Sequence, residues 1–315
     1  MDNPLSGKRI LLVTSSLSDA GGARFRILGL IRSLSGKGGI VHVFGSDFIF
    51  SDERRMLFES GAVEVVPTIS SWKNHYIIPM RRITKVFNRL VGYFNRELLK
   101  PPTLASFISH RTMSAFINMY NTLKPDIIII EYIRLAYLLE CLPKDNKSIT
   151  VIDTHDVMHE RIESFKKYGL EHPFYVTREE ESRILNKYDC IIAINKNDAA
   201  SFSRMVSPHK VVTVFPMTLI DDKYDQHDAG RHIIDDPVLL CIGRKMPPNT
   251  IGAQNLIDYV FPIIVNKYKK ARLYLAGSMC DDLYNINHPG IILERNVDRI
   301  DDLYHKCDIA ISPVE

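Results

Sequence analysis

The sequence predicts an α/β protein built from two Rossmann-like, doubly wound parallel-sheet domains. Its apolar runs are short, β-branched and continuous, which is typical of strands buried on both faces of a parallel sheet. Segments with helical spacing lie between most of these runs, so strands and helices alternate along the chain. The alternation is interrupted once by a polar stretch and then restarts, which indicates two domains joined by a linker.

The first domain is predicted to span residues 1–218. Its helical patterns include the segments 23–38 and 178–188. Its strand-like runs are RILLVTSS (9–16), IVHVFGS (40–46), VEVVPT (63–68), DIIIIEY (126–132), SITVIDT (148–154), CIIAIN (190–195) and VVTVF (211–215).

The polar stretch 219–236 is rich in Asp and His, and we interpret it as the linker. The second domain, 237–315, has the strand-like runs VLLCIG (238–243), ARLYLAG (271–277), GIILE (290–294) and DIAISPV (308–314). The sequence stops directly after the last run, without the helix that should cover it. We therefore expect the second domain to be incomplete and the chain to be a truncated one.

Composition excludes several classes of protein. The 315 residues carry a net charge of +3, which is too small to indicate nucleic-acid binding by itself. The five cysteines show no C-x-x-C spacing, and three of them lie in apolar runs, so we expect buried, reduced thiols. The N-terminus has no signal-peptide pattern, and no apolar run approaches the ~20 residues of a membrane-spanning helix. A cytoplasmic location is the resulting expectation.

The stretch VIDTHDVMHERI (151–162) has two histidines four residues apart, close to the H-E-x-x-H pattern of zinc hydrolases. Two such histidines bind one metal ion only if both project from one face of a helix. Here His155 lies in the connection after a strand, whereas His159 lies inside the next helix. The shared face is lost, and we predict no metal site.

The same stretch contains candidates for acid–base chemistry. Asp153, His155 and Asp156 lie at the carboxyl end of a predicted parallel strand, and open α/β sheets bind ligands at the carboxyl ends of their strands. A histidine there can act as a general acid or base, or hydrogen-bond a sugar hydroxyl, with the carboxylates tuning it. Asp156 is also well placed as the N-cap of the following helix. Two interpretations stay open, namely a catalytic group or two aspartates that only cap the turn.

A loop after the first strand is a candidate for anion binding. Gly21 and Gly22 would let the backbone approach a ligand closely, and the N-terminus of the helix that follows favours negative charge. The loop is neither G-x-G-x-x-G nor a Walker sequence, which disfavours a dinucleotide-dependent oxidoreductase.

The second domain repeats this arrangement. Its first strand ends at Gly243, Arg244 and Lys245 follow, and a helix is predicted to start near Asn249. Arginine offers a planar fork of donors for phosphate oxygens, and lysine offers a point charge. We predict phosphate contact here, the alternative being two exposed charges in a loop.

The segment 81–100 combines apolar residues at helical spacing with six basic residues. Such a basic amphipathic helix can lie in an anionic membrane interface. The alternative is a surface helix that packs its apolar stripe on its own domain.

Taken together, the sequence resembles the nucleotide-sugar glycosyltransferases of the GT-B fold, in particular the mostly retaining group that builds bacterial surface polysaccharides and glycolipids. The matching segments are GGARFRILGLIRSL (21–34), DTHDVMHERI (153–162), EEESRILNKYDCIIAINKNDAASF (179–202), CIGRKMPPNTIGAQNLIDYVFPIIVNKYKKARLYLAGS (241–278) and RNVDRIDDLYHKCDIAISPV (295–314). Each motif is modest alone, but their order along nearly the whole chain is specific.

The resemblance implies transfer of a sugar from a nucleoside diphosphate sugar to a glycan or lipid-linked acceptor, with no cofactor and no obligatory metal. It implies that the first domain faces the acceptor and that the second binds the donor. Gly243, Arg244 and Lys245 match the family's diphosphate-binding tip, and Gly21 and Gly22 match the first-domain loop that faces the diphosphate.

The sequence departs from the family in two places. Many members place a histidine after the fourth strand of the first domain, where this chain has Glu131 and Tyr132. The family's paired glutamates, which hold the donor, would fall beyond Glu315. Two other functions stay open: a sugar-nucleotide epimerase or hydrolase of the same fold, and a non-catalytic binding subunit.

Overall fold

The structure, a computed structural model, describes residues 3–15, 22–45, 51–67, 104, 108–215, 236–284, 286–295, 297 and 300–313. The chain forms two compact units, Met1–Ile220 and Asp221–Glu315. The predicted linker, except for its last residue, and the basic segment 81–100 lie outside the described residues, as does Gly21.

The first unit contains a parallel sheet of seven strands in the order β3-β2-β1-β4-β5-β6-β7. Every predicted strand of this domain is confirmed. The strands are β1 (Arg9–Thr14), β2 (Ile40–Gly45), β3 (Ala62–Pro67), β4 (Ile127–Glu131), β5 (Ile149–Asp153), β6 (Cys190–Ala193) and β7 (Val211–Val214). The strand order reverses between β1 and β4, and such a reversal is where doubly wound sheets bind ligands.

Helices connect these strands. The helices are α1 (Gly22–Gly36), α2 (Ser51–Glu59), α3 (His110–Leu123), a 3-10 helix (Ile133–Cys141), α4 (Met158–Lys167), α5 (Arg178–Leu185) and α6 (Lys196–Ser203). Alternate residues of one strand enter two separate apolar clusters: Leu11 and Val13 belong to one cluster, and Ile10 and Leu12 to the other. Burial on both faces explains why the runs read as continuous rather than alternating.

The start of α4 differs from the prediction. Asp156 is not its N-cap, because the N-cap is Val157 and no side chain of the loop caps the helix. The carboxylate of Glu181, on α5, accepts hydrogen bonds from the first backbone N–H groups, those of Met158 and His159, both at 2.9 Å. Glu181, 25 positions after Asp156, therefore satisfies the N–H groups that a local N-cap was expected to satisfy.

The second unit contains a parallel sheet of four strands in the order β10-β9-β8-β11. Its strands are β8 (Val238–Ile242), β9 (Arg272–Ala276), β10 (Ile291–Glu294) and β11 (Ile309–Ala310), and its helices are α7 (Pro247–Asn255), a π-helical turn (Leu256–Val260), α8 (Phe261–Lys267), a 3-10 helix (Ser278–Asp282) and α9 (Ile300–Lys306). All four predicted strands are present, although β11 is short.

All five cysteines are free, as predicted, but only Cys241 and Cys280 are buried, and the other three are half-buried. Burial raises the pKa of the Cys241 thiol to about 11. No helix within the described part of the chain is long and apolar enough to cross a bilayer.

Candidate functional site

Buried polar side chains gather where three neighbouring strands of the first unit end. Thr14 is the last residue of β1, Glu131 the last of β4 and Asp153 the last of β5. Glu131 and Asp153 are paired in the β4–β5 register, and Val13 and Ile130, one residue earlier, are paired between β1 and β4. The three side chains therefore share one edge of the sheet, at the reversal of strand order. We call Thr14, Arg26, Glu131, Asp153 and His155 the edge cluster.

Arg26 of α1 binds Asp153 through two nitrogens. Its Nε lies 2.8 Å from Asp153 Oδ2 and 3.0 Å from Oδ1, and its Nη2 also pairs with Oδ1. Nη1 donates to the carbonyl oxygen of Phe215 at 2.6 Å. The two charged side chains are only 3% and 1% exposed, so this is a buried, bidentate ion pair. Asp153 is consequently held as the ionised partner of Arg26.

His155 lies next to both acidic residues of the edge cluster. Its Nε2 is 3.2 Å from Glu131 Oε1 and 3.7 Å from Asp153 Oδ2. Glu131 is fully buried, and its other oxygen accepts a hydrogen bond from Thr14 Oγ1 at 3.0 Å. The imidazole is 14% exposed, so it is the group of this pair that a ligand can reach. This arrangement brings together two of the predicted catalytic residues, His155 and Asp153.

The charges of Glu131, Asp153 and His155 shift one another's pKa values. Burial raises the pKa of Glu131 and outweighs the opposing effect of His155. Burial would lower the pKa of His155, but the contact with Asp153 and the charges of Glu131 and Asp153 raise it above the usual value. Burial would likewise raise the pKa of Asp153, but His155 and Arg26 together lower it. The histidine is thus a stronger base than a free imidazole.

The backbone is unusual at the same edge. Tyr132 (φ +72°) and His155 (φ +65°) are two of the three non-glycine residues with positive φ in the described chain; the third, Lys124, ends a helix. Their rings pack edge to face at 5.6 Å, and burial raises the pKa of Tyr132 to about 12. The guanidinium of Arg134 lies over the Tyr132 ring. Strained backbone of this kind costs on the order of 1–3 kcal/mol per residue and clusters at functional sites.

The remaining candidates of this stretch are placed apart from the edge cluster's ion pairs. Asp156, which precedes α4, pairs with Arg161 in the first turn of that helix at 2.5 Å, and both side chains are about one third exposed. His159 lies inside α4 as predicted, and its Nδ1 is 2.7 Å from Glu181 Oε2, a buried contact that ties α4 to α5. Among the described residues, no group of three or more His, Cys, Asp and Glu side chains is placed to hold a metal ion.

In the second unit, the tip of β8 is built on two glycines in close contact. A Cβ on Gly277 (φ +91°) would lie 2.5 Å from the carbonyl oxygen of Gly243, and one on Gly243 would lie 2.6 Å from the sulfur of Met279. Neither position therefore has room for a side chain. The loop that follows carries Arg244 and Lys245, both exposed.

Internal contacts shape this loop. The backbone N–H of Lys245 donates to Ser278 Oγ at 2.8 Å, and its ammonium pairs with Asp282. Asn249 Nδ2 donates to the carbonyl oxygen of Arg244 at 3.0 Å. The loop that carries Arg244 and Lys245 is thus tied to Asn249, in the first turn of α7, and it can present its two cations to an anion.

Helix α7 begins two residues earlier than predicted, at Pro247. Pro247 and Pro248 occupy its first two positions, and proline has no N–H group to offer to an anion. The side chains of Arg244 and Lys245, rather than a row of backbone N–H groups, must then supply the donors for a phosphate at this tip.

Sequence reasoning missed Arg26 and treated Glu131 only as a departure from a family pattern. A signal for Arg26 was available, because it interrupts an apolar helical stripe with Ile27, Leu30 and Ile31, all buried. A buried arginine requires a buried anion. The partner, 127 positions away, could not be read from spacing.

The structure shares its fold with known glycosyltransferases. It matches TarM with a TM-score of 0.61 and 9% identity, over 98% of this chain and 80% of that one. It matches the sucrose-phosphate synthase from Thermosynechococcus elongatus with a TM-score of 0.59 and 15% identity, over 98% of this chain and 75% of that one. Both are glycosyltransferases of the GT-B fold, so the predicted fold is confirmed.

A different activity is named among the other matches. The chain matches the structure of a putative UDP-N-acetylglucosamine 2-epimerase from Listeria monocytogenes with a TM-score of 0.52 and 12% identity, over 93% of this chain and 70% of that one. No protein-family model matches the sequence, and no curated protein sequence does. These similarities establish the fold, and the chemistry must be argued from the sites.

Proposed function

We propose that this protein is a glycosyltransferase that moves a sugar from a nucleoside diphosphate sugar to a hydroxyl group of a glycan or lipid-linked acceptor. The observation that carries the proposal is the position of His155, partly exposed at the reversal of strand order beside the carboxylates of Glu131 and Asp153. An acceptor hydroxyl must lose its proton as it attacks the sugar, and a histidine with a raised pKa is suited to take it.

The tip of β8 supports a donor with a diphosphate. When the bond between the sugar and the diphosphate breaks, negative charge grows on the leaving phosphate oxygens. We assign the stabilisation of that charge to Arg244 and Lys245, and the N-terminal end of the α7 dipole would add to their effect. Two cationic side chains can perform this task directly, so the reaction we propose needs neither a metal ion nor a cofactor.

A thermal-shift experiment with UDP, GDP, ADP and TDP tests the donor class. A ligand that binds only the folded protein raises the midpoint, and 100 times Kd of free ligand adds about 2.7 kcal/mol of stability. We expect one nucleotide to stabilise the protein selectively, with the same shift in the presence of EDTA. If none of the four nucleotides raises the midpoint, the proposed donor class is wrong.

The variant Arg244→Ala tests whether Arg244 contacts the diphosphate of the bound nucleotide. Loss of one hydrogen bond to a charged group should weaken binding of the selected nucleotide by about 1.5–3 kcal/mol, or roughly 10- to 150-fold. The matched control is Lys269→Ala, which removes another exposed cation of the same unit, whose ammonium donates to Asn266 Oδ1 at 3.3 Å. If both variants bind equally well, Arg244 does not contact the diphosphate.

A sugar-nucleotide epimerase or hydrolase is the second candidate, and one observation favours it. A protonatable carboxylate beside a histidine, as in Glu131 and His155, could also move a proton at a sugar carbon, and the UDP-N-acetylglucosamine 2-epimerase structure described above shares the fold. Incubation of the nucleotide sugar without an acceptor separates the two. A transferase needs the acceptor for rapid release of the nucleoside diphosphate, whereas an epimerase or hydrolase converts the donor alone. No turnover under either condition would favour a non-catalytic subunit.

A further inference from the structure

The contact between Glu131 and His155 contains two buried atoms that lack an ordinary partner. Glu131 Oε1 and His155 Nε2 face each other at 3.2 Å, and both are buried without a well-directed hydrogen bond. The other oxygen of Glu131 is occupied by Thr14. A buried acceptor and a buried ring nitrogen at this distance are compatible only if a proton lies between them.

Charge balance limits that proton to one. Arg26 and Asp153 neutralise each other, so the remaining charge of the edge cluster depends on Glu131 and His155 alone. With one shared proton the pair is neutral overall, either as carboxylate and imidazolium or as carboxylic acid and imidazole. With none or two, an uncompensated charge would be buried, which is costly. Thr14 is the neutral group that faces Glu131 from β1, and Tyr132 packs against the imidazole.

We infer that Glu131 is a positioning residue that shares a single proton with His155 and aims the imidazole at the acceptor hydroxyl. Because Nε2 is buried against Glu131 and Asp153, Nδ1 is the ring nitrogen left for a substrate. In the neutral pair Nδ1 also carries a proton. Once solvent has taken that proton, the proton on Nε2 keeps its contact with Glu131, and the lone pair of Nδ1 can accept the hydroxyl proton, which restores the neutral pair. This role in turnover rests on the proposed function, but the shared proton does not.

The proton and electron pairs balance in the step we envisage. The acceptor O–H bond breaks and an Nδ1–H bond forms, while the acceptor oxygen bonds to the sugar carbon. The bond from that carbon to the diphosphate oxygen breaks, and the diphosphate leaves with the electron pair. The resulting imidazolium is stabilised by the carboxylates of Glu131 and Asp153, at 3.2 and 3.7 Å, against the opposing charge of Arg26.

Titration of the His155 ring by NMR tests the shared proton without any substrate. The resonance is assigned by its loss in His155→Gln. In the wild-type protein we expect a midpoint above the ordinary value of about 6.5. In Glu131→Gln, removal of an opposite charge within 4–6 Å should lower the proton affinity of His155 by roughly 10-fold or more. Glu131→Asp, which keeps the charge, should restore most of it.

A second buried pair in the same unit provides the matched control. Glu181 and His159 are in contact at 2.7 Å, so Glu181→Gln makes the same chemical change away from the edge cluster. It should leave the His155 titration unchanged. If Glu131→Gln does not fold, the wild-type midpoint decides, and a value at or below about 6.5 overturns the inference. An unchanged His155 midpoint in folded Glu131→Gln also overturns it.

Kinetics separates this inference from the proposed function. If turnover is found, Glu131→Gln should lower kcat at least 10-fold with little change in KM, and it should shift the pH profile where Glu181→Gln does not. If Glu131→Gln changes the His155 titration but no donor is turned over, the inference of a shared proton stands and the proposed transferase activity is wrong. Turnover that is insensitive to Glu131 would reject the positioning role and retain the transferase.

Discussion

Removing one partner of the buried pair between Arg26 and Asp153 should destabilise the first unit strongly. The pair comprises three nitrogen–oxygen contacts between side chains that are 3% and 1% exposed. Neither Arg26→Met nor Asp153→Asn leaves the remaining charge a route to solvent. A lone buried charge of this kind costs about 3–5 kcal/mol, which is our expectation for each single variant.

The double variant separates the interaction from the two side chains. Arg26→Met/Asp153→Asn leaves no unpaired charge, so it should cost less than the sum of the single variants. We expect a coupling free energy of about 2–3 kcal/mol, toward the upper end for contacting residues. Urea unfolding at pH 7, followed by far-UV circular dichroism, gives the three free energies of unfolding.

A surface pair supplies the comparison. Arg55 and Glu59 lie one turn apart on α2, at 3.7 Å, with side chains 69% and 63% exposed. The same cycle there should give a coupling of about 0.3–0.5 kcal/mol. If the buried and exposed pairs gave the same coupling, burial would not govern the energy of the Arg26–Asp153 pair, and our reasoning about the edge cluster would be refuted.

The same pair predicts a pH dependence of known sign. The pKa of Asp153 is lower in the folded protein than in the unfolded chain, where it is about 3.9. Its contribution to stability is therefore fully present above that value and is lost as the pH falls below it. The wild-type protein should lose stability more steeply than Asp153→Asn between about pH 4 and pH 2. Parallel curves for the two proteins would contradict the lowered pKa.

Two further predictions concern packing. Gly277→Ala would put a Cβ 2.5 Å from the Gly243 carbonyl oxygen at φ +91°, so calorimetry should show a loss of unfolding free energy above roughly 2 kcal/mol. The control Gly169→Ala, at φ +67° in open space, should lose only about 1–2 kcal/mol. Equal losses would mean that the contact between the two glycines is unimportant. Glu181→Gln removes a charged acceptor at the start of α4 and beside His159. It should lower the free energy of unfolding, measured in urea, by about 1.5–3 kcal/mol. A change below about 0.5 kcal/mol would mean that the Glu181 carboxylate does not stabilise α4.

The fold was predictable because its signals are local. Each β-branched run became a strand, since burial on both faces leaves a continuous apolar pattern that does not depend on knowing the partners. The position of His155, outside the helix that contains His159, also followed from the end of a strand-like run.

The polar contacts were not predictable because their partners are distant in sequence. Asp156 had every local property of an N-cap, but a carboxylate from α5 reaches the same N–H groups, and Asp156 turns to Arg161 instead. The departure at Glu131 was visible in the sequence. Its meaning depends on β4 and β5 ending side by side, which puts Glu131 opposite Asp153 and within 3.2 Å of His155.

The edge cluster is hard to explain as a device for stability. Replacement of a buried ion pair by well-packed apolar residues is often neutral or stabilising, so Arg26 and Asp153 offer the fold little that a hydrophobic pair would not. Positive φ at Tyr132 and His155 adds strain at the same edge. Buried charge and strained backbone thus coincide at the reversal of strand order, whereas most other buried side chains of the described strands are apolar. Local conflicts of this kind are expected at functional sites, which agrees with the role that we propose for the His155 imidazole.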